Sequence, residues 1–114
     1  MTSRQEKGAA GETAAAEYLM RHGLAVIARN FRVRGGEIDL VCRDGSCTVF
    51  VEVRLRSGAS FGGAAASITA TKQARLILAA RHWLASHGEQ PCRFDCVLIQ
   101  DGQIEWCKNA FGTD

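Results

Sequence analysis

A chain of 114 residues, 46% hydrophobic and 23% charged, carries enough apolar material for one core and too little length for two, so a single domain over 1–114 is expected and intrinsic disorder is excluded. Its net charge of +2 does not by itself argue for a nucleic-acid partner. No apolar run approaches the ~18 residues of a membrane span and no signal-peptide segment opens the chain, so the expected setting is cytoplasmic with no membrane partner.

Residues from about Ser3 to His22 are rich in Ala and Glu, with Ala15, Tyr18, Leu19 and His22 at helical spacing and Gly23 as the stop. The run from Leu24 to Val33 is β-branched and apolar enough for a strand, closed by Gly35 and Gly36. "EIDLVC" and "TVFVEVRLR" form the next two strands, and "RDGS" between them gives the Asp-Gly signal of a hairpin. Ser57 to Ser67, "SGASFGGAAAS", is small and poor in large side chains, and reads as a mobile loop or lid. A second helix starts at Thr69 or Thr71, either a good N-cap, and ends at Gly88. "CRFDCVLI" and "IEWCKNAF" are two further strands split by Asp101-Gly102, the second with some irregularity. The fold class is therefore α/β, a mixed central sheet flanked by helices in the order α-β-β-β-α-β-β.

Five cysteines, Cys42, Cys47, Cys92, Cys96 and Cys107, include no CxxC pair, which argues for reduced thiols rather than a disulfide framework or a closed zinc site. His22, His82 and His87 match no metal spacing. Asp95 in an apolar strand needs a partner, and Arg93 on the same face supplies an ion pair.

The charges in "GEIDLVCRDGSCTVFVEVRLR" are harder to explain. Strand alternation puts Glu37, Asp39 and Val41 on one face and Ile38, Leu40 and Cys42 on the other. In the next strand Thr48, Phe50, Glu52, Arg54 and Arg56 share a face, opposite an apolar row of Val49, Val51, Val53 and Leu55. A turn centred on Asp44-Gly45 would pair Asp39 with Phe50 and Glu37 with Glu52, leaving Asp39 and Glu52 as diagonal neighbours; one centred on Gly45-Ser46 would set Asp39 directly against Glu52. An odd-length loop without a bulge would send them to opposite faces. Either two-residue turn brings two carboxylates together, which a divalent cation with hard oxygen ligands would resolve. The plainer account is a solvated face on which Arg54 and Arg56 pair with Glu37 and Asp39. Glu12 lies beside the apolar stripe of the first helix, and Lys72 opposes the macrodipole of the second, so helix stability does not explain it.

These residues, "GEIDLV", "VFVEVRLR", "TKQARL", "RFDCVLI" and "KNAF", together with Gly11-Glu12 and "ARNFR", closely resemble the YraN family of uncharacterised, endonuclease-like bacterial proteins over nearly the whole chain. That family is similar to the restriction-endonuclease-like (PD-(D/E)xK) superfamily and to archaeal Holliday-junction resolvases. The resemblance implies a restriction-endonuclease-like core and a nuclease that uses Mg²⁺ or Mn²⁺ to hydrolyse phosphodiester bonds in DNA, branched DNA included. It implies Asp39 and Glu52 as metal ligands, the Val53 carbonyl as a third, and Glu12 as an added first-helix acid. Lys72 and Gln73 match polar residues of the crossover helix. The pattern expects Lys where this chain has Arg54, which keeps the charge but cannot serve as a base. Arg54 could orient the attacking water, Lys72 could supply the ammonium instead, or catalysis could be lost with nucleic-acid binding retained. Arg29, Arg32, Arg34, Arg56, Arg75 and Gln73 are candidates for contacts to the nucleic-acid backbone. Cutting two strands would be simplest as a symmetric homodimer, and a protein-interaction scaffold using Phe61, Trp83, Trp106 or Phe111 is the remaining alternative.

Overall fold

The computed structural model describes residues 4–57 and 63–112, with side chains described from Gly8 onward. Helix α1 (Arg4–Arg21) leads into three antiparallel strands, β1 (Ala25–Val33), β2 (Gly36–Asp44) and β3 (Cys47–Arg56). One 3₁₀ turn (Ala65–Ser67) and helix α2 (Ala70–His87) cross over to β4 (Cys92–Gln100), which is parallel to β3, and β5 (Gln103–Phe111) forms the antiparallel edge. The strands lie in the order β1-β2-β3-β4-β5. The expected element order and mixed sheet are thus present.

Local chemistry accounts for the boundaries. Gly23, at φ +95°, closes α1, and the Leu24 N–H donates back to the Leu19 carbonyl at 3.0 Å. Of the two expected N-caps of α2, Thr69 is the one used: its hydroxyl accepts from the Lys72 N–H at 3.2 Å. Asp101 and Gly102, at φ +51° and +78°, make the tight turn between β4 and β5, the conformation that favours Asp-Gly in hairpins. β5 is a full strand, irregular around Asn109, which takes φ +53° where the register with β4 shifts between Phe94 and Cys96.

The sheet buries both faces. Under α2 lie Ile38, Val41, Phe50 and Phe94 with Leu76, Ala79 and Trp83; under α1 lie Leu40, Cys42, Val49, Val51 and Val97 with Ala15 and Leu19. The apolar row of β3 is therefore the α1 face, as alternation required. In β2, strict alternation fails. Ile38 packs with Val41 rather than with Leu40 and Cys42, so the pleat slips by one residue at Asp39. The same rung of β1 carries Asn30 at φ +53°, between Arg29↔Leu40 and Phe31↔Ile38. Both strands slip together, which preserves their register. Asn is among the few residues that tolerate this backbone conformation at modest cost.

Asp95 is 1% exposed and fully engaged. Arg93 Nε donates to it at 3.0 Å, Trp106 Nε1 at 3.0 Å and the Asn109 backbone N–H at 2.9 Å. The expected Arg93 ion pair is thus one strand of a larger buried network, which also ties Arg93 to Asp44 at 3.1 Å. Trp83, considered above as a docking residue, is 8% exposed and sits in the α2-face core with Phe31 edge-on to it. Phe111 stacks on Phe94. Phe61 lies outside the described residues, as does the centre of the expected lid. The described end of that segment is anchored, because the Ala64 N–H donates to Glu105 Oε2 at 3.0 Å.

Two substitutions test this frame by urea denaturation. A Cβ at Gly36 would lie 2.5 Å from the Arg75 carbonyl oxygen, so Gly36→Ala should cost ~1–3 kcal/mol by forcing α2 away from β2. Asp95→Ala leaves Arg93 and two N–H donors without their acceptor, and a loss of ~3 kcal/mol or more is expected; a variant of wild-type stability would show that the network contributes nothing.

Candidate active site

The turn between β2 and β3 closes on the Asp44↔Cys47 pair with Gly45 at φ +61°, so its centre is Gly45-Ser46, the arrangement in which Gly takes the first central position. Of the two registers open from sequence, this is the second. The ladder runs to Leu40↔Val51, and the next rung sets Asp39 opposite Glu52. There the paired strands part. The Val53 N–H donates to Asp39 Oδ2 at 2.8 Å rather than to the β2 main chain. A residue's N–H and C=O leave an extended strand on the same edge, so the Val53 carbonyl also faces this opening.

Burial is the dominant force on the two acids. It pushes the Asp39 carboxyl up to about 8, with the charge of Glu52 adding to it, the Val53 N–H opposing it and Glu12 and Glu37 raising it further. Burial raises Glu52 as well, opposed by the nearby charges of Lys72 and Arg54 and by a hydrogen bond from Asp39. Two half-buried carboxyls in contact, with a carbonyl on the same edge, make a hard oxygen donor set that suits Mg²⁺ or Mn²⁺. Among the described residues, no group of three or more His, Cys, Asp and Glu converges closely enough to form a complete protein-ligand set. Mg²⁺ sites of one or two carboxylates completed by water and phosphate have this sparse character.

Lys72 reaches the site from the first turn of α2, where it lines a narrow slot with Glu37, Glu52 and Arg75. Its cation is the largest influence holding Glu52 down. Arg54 stands two residues from Glu52 on the same face, and its Nε is buried without a hydrogen-bond partner among the described residues. Glu12 has a side chain 16% exposed and lies 3.9 Å from Arg29 Nη2. It influences Asp39 from the α1 side without joining the carboxyl pair.

The arginines divide. Arg29 is tied to α1, donating to the Thr13 hydroxyl at 3.0 Å, and Arg32 pairs with Glu37 at 3.3 Å. Among the described residues, the ion pair of Glu37 is with Arg32 rather than with the arginines of β3. Arg56 Nη2 donates to the Gly63 carbonyl at 3.3 Å. Arg75 borders the Lys72 slot, whereas Arg34 is exposed at the end of β1. Gln73 braces the segment before α2, its amide donating to the Ile68 carbonyl at 3.3 Å. Glu37, which the Asp44-Gly45 turn would have set against Glu52, stands opposite Arg32 and shares the Lys72 slot with Glu52. Sequence reasoning passed over Asn30, although an Asn inside a strand is itself a signal of irregular backbone.

Residues 11–99 match the family described as "Uncharacterised protein family UPF0102". Similar proteins include a UPF0102 protein of Dechloromonas aromatica, 58% identical over 95% of this chain and 90% of its own length. Others are UPF0102 proteins of Nitrosomonas europaea, 54% identical over 97% and 98% of the two chains, and of Methylobacillus flagellatus, 55% identical over 96% and 99%.

The Asp39 shift carries a signed prediction for the metal-free protein. Folding raises this acid from 3.8 to about 8, so the folded state binds the extra proton between those values and stability falls as pH rises through that window. Thermal melting between pH 5 and 8 should show the decline, and Asp39→Asn should flatten it and stabilise the protein at pH 8 by roughly a few kcal/mol. An unchanged slope in Asp39→Asn would refute the assignment.

Proposed function

This chain belongs to the UPF0102 (YraN) family, and from the site above we propose that it is a divalent-metal-dependent nuclease that hydrolyses phosphodiester bonds in DNA, branched or structured DNA among its substrates. One observation carries the reading: Asp39 and Glu52 oppose each other where the hairpin opens, with a lysine and an arginine on the Glu52 side. Asp39, Glu52 and the Val53 carbonyl would hold Mg²⁺ or Mn²⁺. The ion, when bound, supplies an acidified water and neutralises phosphate charge.

The chain's own cations divide the remaining work. Lys72 takes the place of the expected third-strand lysine: its ammonium beside Glu52 orients the attacking water by hydrogen bonding. Arg54, whose guanidinium stays charged at any working pH, donates to a non-bridging phosphate oxygen as negative charge grows on it. Water adds to phosphorus, one P–O ester bond breaks, and the departing oxygen takes up a proton. Glu12 tunes the pair electrostatically, and Arg32 and Arg75 contact the backbone without reading sequence. A symmetric pair of chains would let both strands of a duplex be cut.

A second reading has one observation in its favour. Arg54 stands in place of the expected lysine, which suits a nucleic-acid-binding module of the same fold that no longer cleaves.

Junction, flap and single-stranded DNA incubated with Mg²⁺ or Mn²⁺ separate the two. Cleavage is expected, lost by ~10²-fold or more in Asp39→Ala and Glu52→Ala while binding persists, and binding should weaken steeply with salt. Lys72→Met should cost ~10²-fold and Arg54→Lys little. Independently of activity, Mn²⁺ should raise the melting temperature at pH 8 through the pair. DNA binding with neither cleavage nor Mn²⁺ stabilisation would favour the binding module.

A further inference from the structure

The carboxyl pair is flanked by two clefts of very different size. On the α2 side, Glu37, Glu52, Lys72 and Arg75 border a slot of about 20 Å³, room for about one water-sized species. On the α1 side, Gly8, Ala9, Glu12, Asn30 and Arg32 line a cleft of about 310 Å³, at the lower end of the range for small-molecule sites. Glu12 links this cleft to the pair, because its charge acts on Asp39. Asn30 links it again, as the β1 residue on the Asp39 rung.

The lining has a division of character. Gly8 and Ala9 make a wall without bulk, and a Cβ at Gly8 would meet nothing within 4 Å. Asn30 is exposed and offers both an amide donor and an acceptor. Its left-handed backbone, at φ +53°, is the kind of outlier that collects at functional sites. Arg32 stands at the rim with its side chain 70% exposed. A larger cleft of about 590 Å³, bordered by Gly11, Ala14, Leu55 and Ile99, has Arg56 as its one charged lining residue among those described and offers no comparable polar set.

We infer that the Gly8–Arg32 cleft is a nucleotide subsite for a strand that is unpaired next to the cleaved bond. The sugar and base lie against Gly8 and Ala9, the Asn30 amide hydrogen-bonds an edge, and the adjoining phosphate meets Arg32. This rests on the nuclease reading and deepens it by naming the substrate class. A cleft of about 310 Å³ matches one nucleotide rather than a base pair, so the strand enters past α1 without its complement, and the α2 slot is left to water or a cation.

The test fills the cleft. Ala9 is exposed on α1, so Ala9→Trp should keep the helix while blocking the space; Glu17→Trp, exposed two turns further along, is the control for added bulk. Fluorescence anisotropy with labelled oligodeoxythymidylate, and with a duplex of equal length, reads the effect, and thermal melting checks that each variant is folded. Arg32→Ala provides a second variant that adds no volume. Ala9→Trp and Arg32→Ala should each weaken single-strand binding about tenfold or more relative to Glu17→Trp, and the wild type should prefer the single strand. If the wild type cleaves DNA while both variants bind and cut as the control does, the subsite is wrong and the nuclease reading stands. Equal affinity for the duplex overturns the unpaired-strand assignment. A wild type that neither binds nor cuts nucleic acid refutes the nuclease reading and the subsite with it.

Discussion

Two carboxyl groups held face to face, with burial raising both, form the interaction on which the rest of this molecule's character depends. Like charges opposite one another weaken a strand pair, and half-buried acids add a desolvation cost. The fold tolerates this because burial favours the protonated form of Asp39, pushing its carboxyl up to about 8, and because the charges of Lys72 and Arg54 act on Glu52. A divalent cation is the ligand that the proposed function would place between these charges.

The architecture serves that pair. β3 lies between β2 and β4 and is buried from Thr48 to Val51, so Glu52 is carried by the central strand of the sheet. Asp39 sits on β2 where the pleat slips and the ladder ends, which frees its carboxylate to take the Val53 N–H. The crossover helix brings Lys72 over the sheet because its N-cap, Thr69, starts the helix one turn before Lys72, which shares a slot with Glu52. Gly36 lets α2 approach closely enough for that reach.

Two cations from different elements stand near Glu52. A lysine on β3 would point along the same face as Glu52. Arg54 occupies that place, bulkier and permanently charged, with its Nε buried, while a flexible lysine arrives from the helix above. Both charges act on Glu52, one from its own strand and one from the helix that crosses over the sheet.

Much of this was legible from residues alone. Helical spacing, Gly stops, Asp-Gly turns and the unbroken apolar row of β3 depend on neighbours a few positions apart, so the sequence by itself determined the element order and the two-faced sheet, and the nearness of Asp39 to Glu52 for any two-residue turn. Only the tertiary structure decided which register the hairpin takes, because that depends on the backbone angles of Gly45 and on burial across the whole sheet. It also decided the slip at Asn30 and Asp39, which no alternation rule anticipates since both strands deviate on the same rung. The partners of Glu37, Arg56 and Glu105, and the arrival of Lys72, were likewise beyond sequence. They are set by which long side chains find each other across elements, a matter of packing distance rather than of order along the chain.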